Sequence, residues 1–504
     1  MASAAPAEKA QFLITRSLFL KGLGLIYLLA FISLWVQVDG LIGSRGILPV
    51  QDLLQAGKQQ LGPERYWLAP TLCWFNSSDW FLHFLCGGGV FLSMLLIIGA
   101  VPPVVLLLLW VFYLSLVTVG REFMSFQWDI LLLETGLLAV FLSPWVLKPR
   151  WVPRPQVPSV VLWLFRWLLF RLLFSSGVVK LISGDPSWRG LTALTFHYET
   201  QPLPSPLSWF IHRAPLWFHK ASCFGVFSVE VFVPLFFFAP RRWRLAACAV
   251  SIAFQLLIIL TGNYCFFNLL TILLCLLLVD DDAWRKAGKF LFKEKADATR
   301  TAVQPDTKKL RWPVWVLAPF AGFVFLTSFI WMAALFRVPS EWLRPAVGLI
   351  NAAAPFRSIN SYGLFASMTT SRPEIIVEGS SDGVAWLSYE FRYKPGDLKK
   401  GPSFVAPYQP RLDWQMWFAA LSGYSDNPWF VQFCVRLLEG SKPVLALLKT
   451  NPFPDKPPKY VRAWVYDYRF TSFSGRRMEG NWWERSNKRV YCPALSLRSR
   501  NPTD

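Results

Sequence analysis

Charge is scarce in this chain of 504 residues: Asp, Glu, Lys and Arg make up 16% of it, against about 25% in soluble domains. Histidine is scarcer, with four in all. The eight cysteines, at 73, 86, 223, 248, 265, 275, 434 and 492, form no CxxC pair, which removes the usual zinc spacings. No Gly-rich phosphate loop and no HExxH helix occurs, and no nucleophile elbow is read in the chain. Repeats and low-complexity tracts are also lacking. Neither a metal nor a cofactor is expected from such a sequence. Acidic residues are outnumbered, 31 to 51 basic, for a net charge of +20. In a soluble protein that excess would suggest nucleic acid. Here it lies largely in short loops between apolar runs, where it sets membrane orientation, and no nucleic-acid partner is expected.

What the chain has in abundance is apolar surface. Hydrophobic residues are 54% and aromatics 16%, with 26 Trp and 43 Phe; mean hydropathy is +0.36. Runs near the roughly 20 residues that span a bilayer fall at 22–38, 80–99, 101–119, 128–147, 158–182, 222–239, 245–262, 264–279 and 313–335. The pattern predicts a polytopic α-helical membrane protein of about nine transmembrane helices. The tight pairs 80–119 and 245–279 also fit re-entrant segments. With a cytoplasmic N-terminal tail, 1–21, the basic loops around Lys148, Arg150 and Arg154, and around Arg241, Arg242 and Arg244, fall inside, as the positive-inside rule requires. So does the linker 280–312. The loops 39–79 and 183–221 then lie outside. Asn76-Ser77-Ser78 is an N-glycosylation sequon in the first of these, whereas Asn501-Pro502-Thr503 is excluded by its proline. Lipids are the partners such a 22–335 bundle requires.

The remaining part, 336–504, holds no spanning run and reads as an extracytoplasmic α+β domain. Glu374–Glu378 and Trp386–Tyr393 predict a hairpin around Gly379-Ser380-Ser381-Asp382-Gly383. Helices are expected at 413–422 and 428–439. Tyr460, Arg462, Trp464, Tyr466, Tyr468 and Phe470 alternate, so they share one strand face. Trp414, Trp417 and Phe418 lie at i, i+3 and i+4 and share a helix face. That face is either domain core or an exposed client-interaction patch. Asp413 has the residue type of an N-cap, and Asn263 and Asn268 suit the satisfaction of backbone groups at a helix turn. Gly87-Gly88-Gly89, inside an apolar run, suits close helix packing. Cys73, Cys265, Cys434 and Cys492 lie on or near the oxidising side, where a disulfide or free buried thiols are equally compatible.

Ionisable groups inside hydrocarbon are costly unless paired. Rises of about 1.5 Å per residue place Glu134, Arg171 and Glu230 in the outer half of the membrane, as one polar cluster open toward Lys180. A buried clamp that locks the helices and a functional cavity both fit this pattern.

Several dense strings carry a resemblance. They include Gly120-Arg121-Glu122-Phe123-Met124-Ser125-Phe126-Gln127-Trp128-Asp129, Leu131-Leu132-Leu133-Glu134-Thr135-Gly136 and His197-Tyr198-Glu199-Thr200-Gln201-Pro202. Others are Gly262-Asn263-Tyr264-Cys265-Phe266-Phe267-Asn268, Asn360-Ser361-Tyr362-Gly363 and Pro410-Arg411-Leu412-Asp413-Trp414-Gln415-Met416-Trp417-Phe418. In this order, from about 16 to 493, they resemble the lipase maturation factor family. That resemblance implies a multi-pass protein of the endoplasmic reticulum membrane, or of the plasma membrane in a bacterial relative. It implies assistance to secreted lipases as they fold and assemble into homodimers, with client contact through 372–493 and no catalysis. A shorter resemblance, Val178-Val179-Lys180-Leu181 with Asp185, Trp188 and Gly190, is to the catalytic-lysine stretch of vitamin K-dependent gamma-carboxylases. It implies an alternative in which Lys180 acts as a base, with His197 nearby.

Overall fold

The computed structural model describes residues 11–146, 156–292, 312–336, 338, 341 and 347–497. Lys148, Arg150, Arg154, most of the linker beyond 292 and the Asn501 sequon lie outside the described residues. Among the described residues, seven helices are long and apolar enough to cross a membrane. They are α1 (Leu13–Trp35), α2 (Asp79–Ile98), α3 (Pro102–Val119), α5 (Ser159–Ile182), α6 (Leu216–Phe238), α7 (Arg241–Thr261) and α10 (Val314–Leu335). The tight pair 80–119 is two helices, turned by Val101 at a φ of 39°. Two of the nine expected spans form shorter helices, α4 (Gln127–Leu142) and α8 (Phe267–Leu276), of 16 and 10 residues. α9 (Asp281–Phe292) is amphipathic and starts the linker.

α1 starts at Leu13, nine residues before the expected span begins. Its first backbone N–H groups, from Leu13, Ile14 and Thr15, donate to the carboxylate of Asp281 at 2.8, 2.9 and 3.3 Å. An anion at a helix N-terminus satisfies orphan donors and complements the dipole. This cap comes from the other end of the bundle sequence, so local pattern cannot show it. The neighbouring Asp280 gathers Arg241 at 2.6 Å and Arg244 at 3.3 Å. The basic turn, the start of α1 and the end of α8 therefore share one end of the bundle.

Small residues set the helix spacing. A Cβ on Gly89 of α2 would lie within 2.5 Å of three Phe31 ring carbons on α1, so the glycine run packs as a close helix contact. α6 is irregular: a π-helical turn at Ser228–Phe232 passes into a 3-10 stretch at Val233–Phe238 that contains Pro234. Proline lacks the donor a regular helix needs.

The C-terminal domain sits on the opposite end of the bundle. Its four-stranded antiparallel sheet has the order β2-β1-β5-β6, from β1 (Arg372–Ser380), β2 (Leu387–Ser388), β5 (Tyr460–Phe470) and β6 (Trp483–Leu495). The main partner of β1 is β5, paired from Arg372↔Tyr468 to Ser380↔Tyr460. The expected strand 386–393 is broken. Only β2 pairs with β1, and the chain then leaves so that β3 (Glu390–Phe391) can pair with β4 (Leu448–Thr450). A strand buried as deeply as β1 needs a long partner for its backbone, and the distant β5 supplies it. The turn 379–383 spells G-x-S-x-G but joins strand to strand, so Ser381 is no nucleophile elbow.

α11 (Arg411–Ala420) packs on β1 and α12 (Pro428–Leu438) on β5, burying Ile375, Val377, Val461, Ala463, Met416 and Phe433 in one core. The aromatic stripe of β5 does occupy one face. It is exposed at Tyr460, while Tyr468 and Phe470 are buried against Trp209 and Trp483. Trp209 belongs to the short helix Pro206–Ile211, so the loop 183–221 is part of the domain's foundation.

Candidate functional site

Residues of α4 and α5 build the first buried charge group. Arg171 pairs through Nη2 with Glu134 and donates through Nη1 to the Asn360 carbonyl at 2.8 Å. The other Glu134 oxygen accepts the Asn360 backbone N–H at 3.1 Å and the Tyr362 hydroxyl at 2.8 Å. Both charged side chains are buried. The string Asn360-Ser361-Tyr362 thus plugs the membrane pair from the C-terminal side, and each carboxylate oxygen has a partner, as a buried ion pair requires.

Glu230 does not join this group. It pairs with Lys180 instead, Oε2 to Nζ at 2.7 Å, and the same Nζ donates to the Ser176 carbonyl at 3.0 Å. The expectation of one cluster of Glu134, Arg171 and Glu230 is corrected to two separate pairs. Depth along straight helices placed Glu230 near Arg171, but the π-turn of α6 re-aims it. Gly177 permits the approach, since a Cβ there would lie 2.9 Å from the Glu230 Cβ. Lys180 also lies 5.5 Å from the Trp188 ring centroid. It is an ion-pair partner rather than a free amine.

His197 lies on the short helix Ala193–Thr200. Its Nε2 is 3.1 Å from the Tyr264 hydroxyl, which donates to Gln201 Oε1 at 2.9 Å. Burial pushes the His197 imidazole down to about 4, so it is neutral at physiological pH. Lys180, Glu230, His197 and Tyr264 line one cavity of about 510 Å³.

The junction between bundle and domain holds a third charge group that sequence reasoning missed. Arg411 grips Asp129 with both nitrogens, Nη2 to Oδ1 at 2.9 Å and Nη1 to Oδ2 at 3.0 Å, and Nη1 also donates to the Phe123 carbonyl at 2.6 Å. Bidentate pairs of this type are the strong ones. Tyr113 donates to the same carboxylate. Next door, Gln409 accepts the Trp128 indole N–H at 2.7 Å and donates its backbone N–H to Ser33 at 3.0 Å. Asn263 accepts the backbone N–H of Val405 at 2.7 Å and of Ala406 at 3.1 Å. Asn268, in contrast, bonds the Gln255 side chain at 2.7 Å. Arg372 pairs with Glu374 at 2.7 Å and donates to the Pro202 carbonyl at 3.0 Å. The strings carrying these residues stand out in the sequence, but nothing local pairs Asp129 with a residue 282 positions away.

Asp413 does not cap its helix. The helix begins at Arg411, and the Asp413 carboxylate accepts the backbone N–H groups of Tyr393 and Lys394, both at 2.8 Å. It ties α11 to the loop after β3. Trp414 is buried against Trp128 at a centroid distance of 4.8 Å. Trp417 is buried and donates to the Thr200 carbonyl at 2.8 Å. Of the three client-contact candidates only Phe418 is exposed; the other two anchor the domain to the bundle. Asn76 is exposed, its Oδ1 accepting the Ser78 N–H at 2.9 Å. All eight cysteines are buried free thiols. Among the described residues no group of His, Cys, Asp and Glu could hold a metal ion.

Comparisons with known proteins agree with this two-part build. The lipase maturation factor transmembrane domain family matches residues 14–286, and the lipase maturation factor C-terminal domain family matches 358–493. Lipase maturation factor 2 of Homo sapiens is 39% identical, over 96% of this chain and 82% of its own length. The Xenopus tropicalis protein of that name is 38% identical with the same coverage. Lipase maturation factor 1 of Bos taurus is 38% identical, over 96% of this chain and 89% of its own. No solved structure gives a significant match. Nothing in these comparisons supports the gamma-carboxylase alternative at Lys180. With both family domains present in order and joined by the charge groups described above, the chain belongs to the lipase maturation factor family.

Proposed function

We propose that this chain is a membrane-anchored maturation factor that helps secreted lipases fold and assemble into active homodimers, acting in the endoplasmic reticulum by binding and not by catalysis. The observation that carries this reading is the match of both family domains across nearly the whole chain. The geometry supports it in two ways. The C-terminal domain is fixed to one end of the bundle by buried charge pairs, which suits a rigid platform at a membrane surface. That end is opposite the basic turn of Arg241 and Arg244, which by the positive-inside rule supports a lumenal platform, where a lipase client and glycosylation at Asn76 would meet it. Phe418 is the aromatic candidate left outward for a client.

The test is deletion of the gene in its source cell together with expression of a secreted homodimeric lipase. The expected result is lipase protein with low specific activity and little dimer, restored by the full chain. Rescue should fail for a chain cut after residue 340. Unchanged specific activity in the deletion line would overturn the proposal.

A further inference from the structure

The cavity beside Lys180 has an apolar wall and a polar end. Leu172, Leu173, Val226, Val229, Phe254 and Ile258 form much of the wall. α6 and α7 touch near the turn at 239–240 and diverge toward Leu216 and Thr261. Residues of both helices line the cavity, and their outer residues Phe224, Phe232, Leu257 and Leu260 are exposed. In a bilayer those faces meet hydrocarbon, so an alkyl chain can enter sideways without crossing water. The volume, about 510 Å³, falls in the range of roughly 300–1,000 Å³ that encloses a drug-sized molecule.

The polar end has a specific inventory. Lys180 carries three N–H donors and uses two, on Glu230 Oε2 and the Ser176 carbonyl. Glu230 is 8% exposed, and its second oxygen has no protein partner among the described residues. At the other side of the pocket, the single Tyr264 O–H must go to Gln201 Oε1, because a carbonyl oxygen only accepts. His197 Nε2 is then the donor to Tyr264, which leaves Nδ1 as an acceptor, again without a protein partner among the described residues. Trp188 and Phe365 tie the two sides together. Lys180 lies over the Trp188 ring, Trp188 donates to the Phe365 carbonyl at 2.9 Å, and the Phe365 ring stands edge-on to His197 at 4.9 Å.

Around the Lys180–Glu230 pair, whose charges cancel, and His197 the site offers one free donor and two free acceptors; the Tyr198 and Ser222 hydroxyls, Gln255 Nε2 and Asn268 Oδ1 line the rest of the cavity and have no protein partner among the described residues either. A fatty-acid carboxylate would bring uncompensated charge into an apolar chamber, and a phospholipid would have to desolvate an ionised headgroup there, both of which are costly. A hydrocarbon or a triester has no donor for the two acceptors and would leave them unsatisfied. A neutral single-chain ester with free hydroxyls matches all three groups. We propose that this cavity binds a lipid of the monoacylglycerol class, its acyl chain between α6 and α7, its ester carbonyl accepting from Lys180, and its hydroxyls donating to Glu230 and His197.

The test uses the full chain in phosphatidylcholine nanodiscs and a monoacylglycerol with a diazirine in its acyl chain. Irradiation followed by peptide mass spectrometry should place adducts on residues 222–230 and 250–258. Excess monooleoylglycerol should lower those adducts at least tenfold, while oleic acid, lysophosphatidylcholine and octadecane should not. Val229→Trp, which fills the chamber, should abolish them. The competition series on the unaltered chain stands without that variant if it fails to fold. Adducts scattered over lipid-facing residues and insensitive to monooleoylglycerol would overturn the site. Equal competition by oleic acid would overturn the neutral headgroup.

Discussion

Arg411 holds its guanidinium between Asp129 and the Phe123 carbonyl with no exposure to solvent. Removing one partner of such a pair leaves a buried charge uncompensated, at a cost of about 3–5 kcal/mol. Arg411→Met should therefore lower the thermal unfolding midpoint of the purified protein strongly. Asp129→Leu combined with Arg411→Met should recover much of the loss, because no charge is then stranded. Equal destabilisation of single and double variants would count against the pair as the lock. Protonation offers a second residue-scale outcome. His212, outside the spans and 3.6 Å from Glu199, is pushed down to about 4 by burial and secondarily by Arg213 and His219. Unfolded, the imidazole takes up its proton below about 6.5; folded, it does so only near 4. The unfolded state binds more protons throughout that window, so stability is present above it and falls as pH drops through it. The expected loss is a few kcal/mol in order of magnitude. Glu199, raised by burial, works in the opposite sense, so the comparison is between the parent and His212→Gln across pH 7.5 to 4.5. The variant should show the flatter stability profile. Glu134 and Arg171 were legible in the sequence as charges on neighbouring apolar runs. Glu230 was assigned to the wrong partner because depth along a straight helix takes no account of a π-turn.

The elements were legible wherever their signal is local. The paired apolar runs 80–119 are two helices, and the alternation of β5 does put its aromatics on one face. The start of α1, capped by Asp281 from 268 residues away, and the broken strand after Gly383 were not, since both depend on distant partners. Close packing is the element-scale feature most open to test. A valine side chain at Gly89 would have to displace the Phe31 ring, whose carbons lie within 2.5 Å of the added Cβ. Overpacking of this type costs about 1–3 kcal/mol. Gly89→Val should therefore lower thermal stability by that amount in the parent and by less in a Phe31→Ala background, which makes room on α1. If Gly89→Val were as stable as the parent, α1 and α2 would not be in the contact described.

For the whole molecule, the decisive relation is between its two ends. Val384, at the tip of the β1–β2 turn, is 84% exposed, and Lys286 in α9 is exposed as well. The first belongs to the domain docked near Trp128 and Asn263, the second to the end where Asp281 caps α1. Neither the count of apolar runs nor the charge of the loops could say that the domain docks on the bundle, because that contact is made by Arg411, Gln409, Arg372 and Trp417 across long stretches of chain. A bundle that spans a bilayer must put Val384 and Lys286 on opposite sides of it. All eight native cysteines are buried, so single cysteines introduced as Val384→Cys and Lys286→Cys can be read with an impermeant maleimide against low background. In sealed microsomes, Lys286→Cys should react from the cytosolic side, and Val384→Cys should react only after the membrane is opened. Labelling of both in intact vesicles would contradict the arrangement of the ends. The reverse pattern would leave the fold intact but turn the platform toward the cytosol, away from every secreted client, and the proposed maturation role would fail with it.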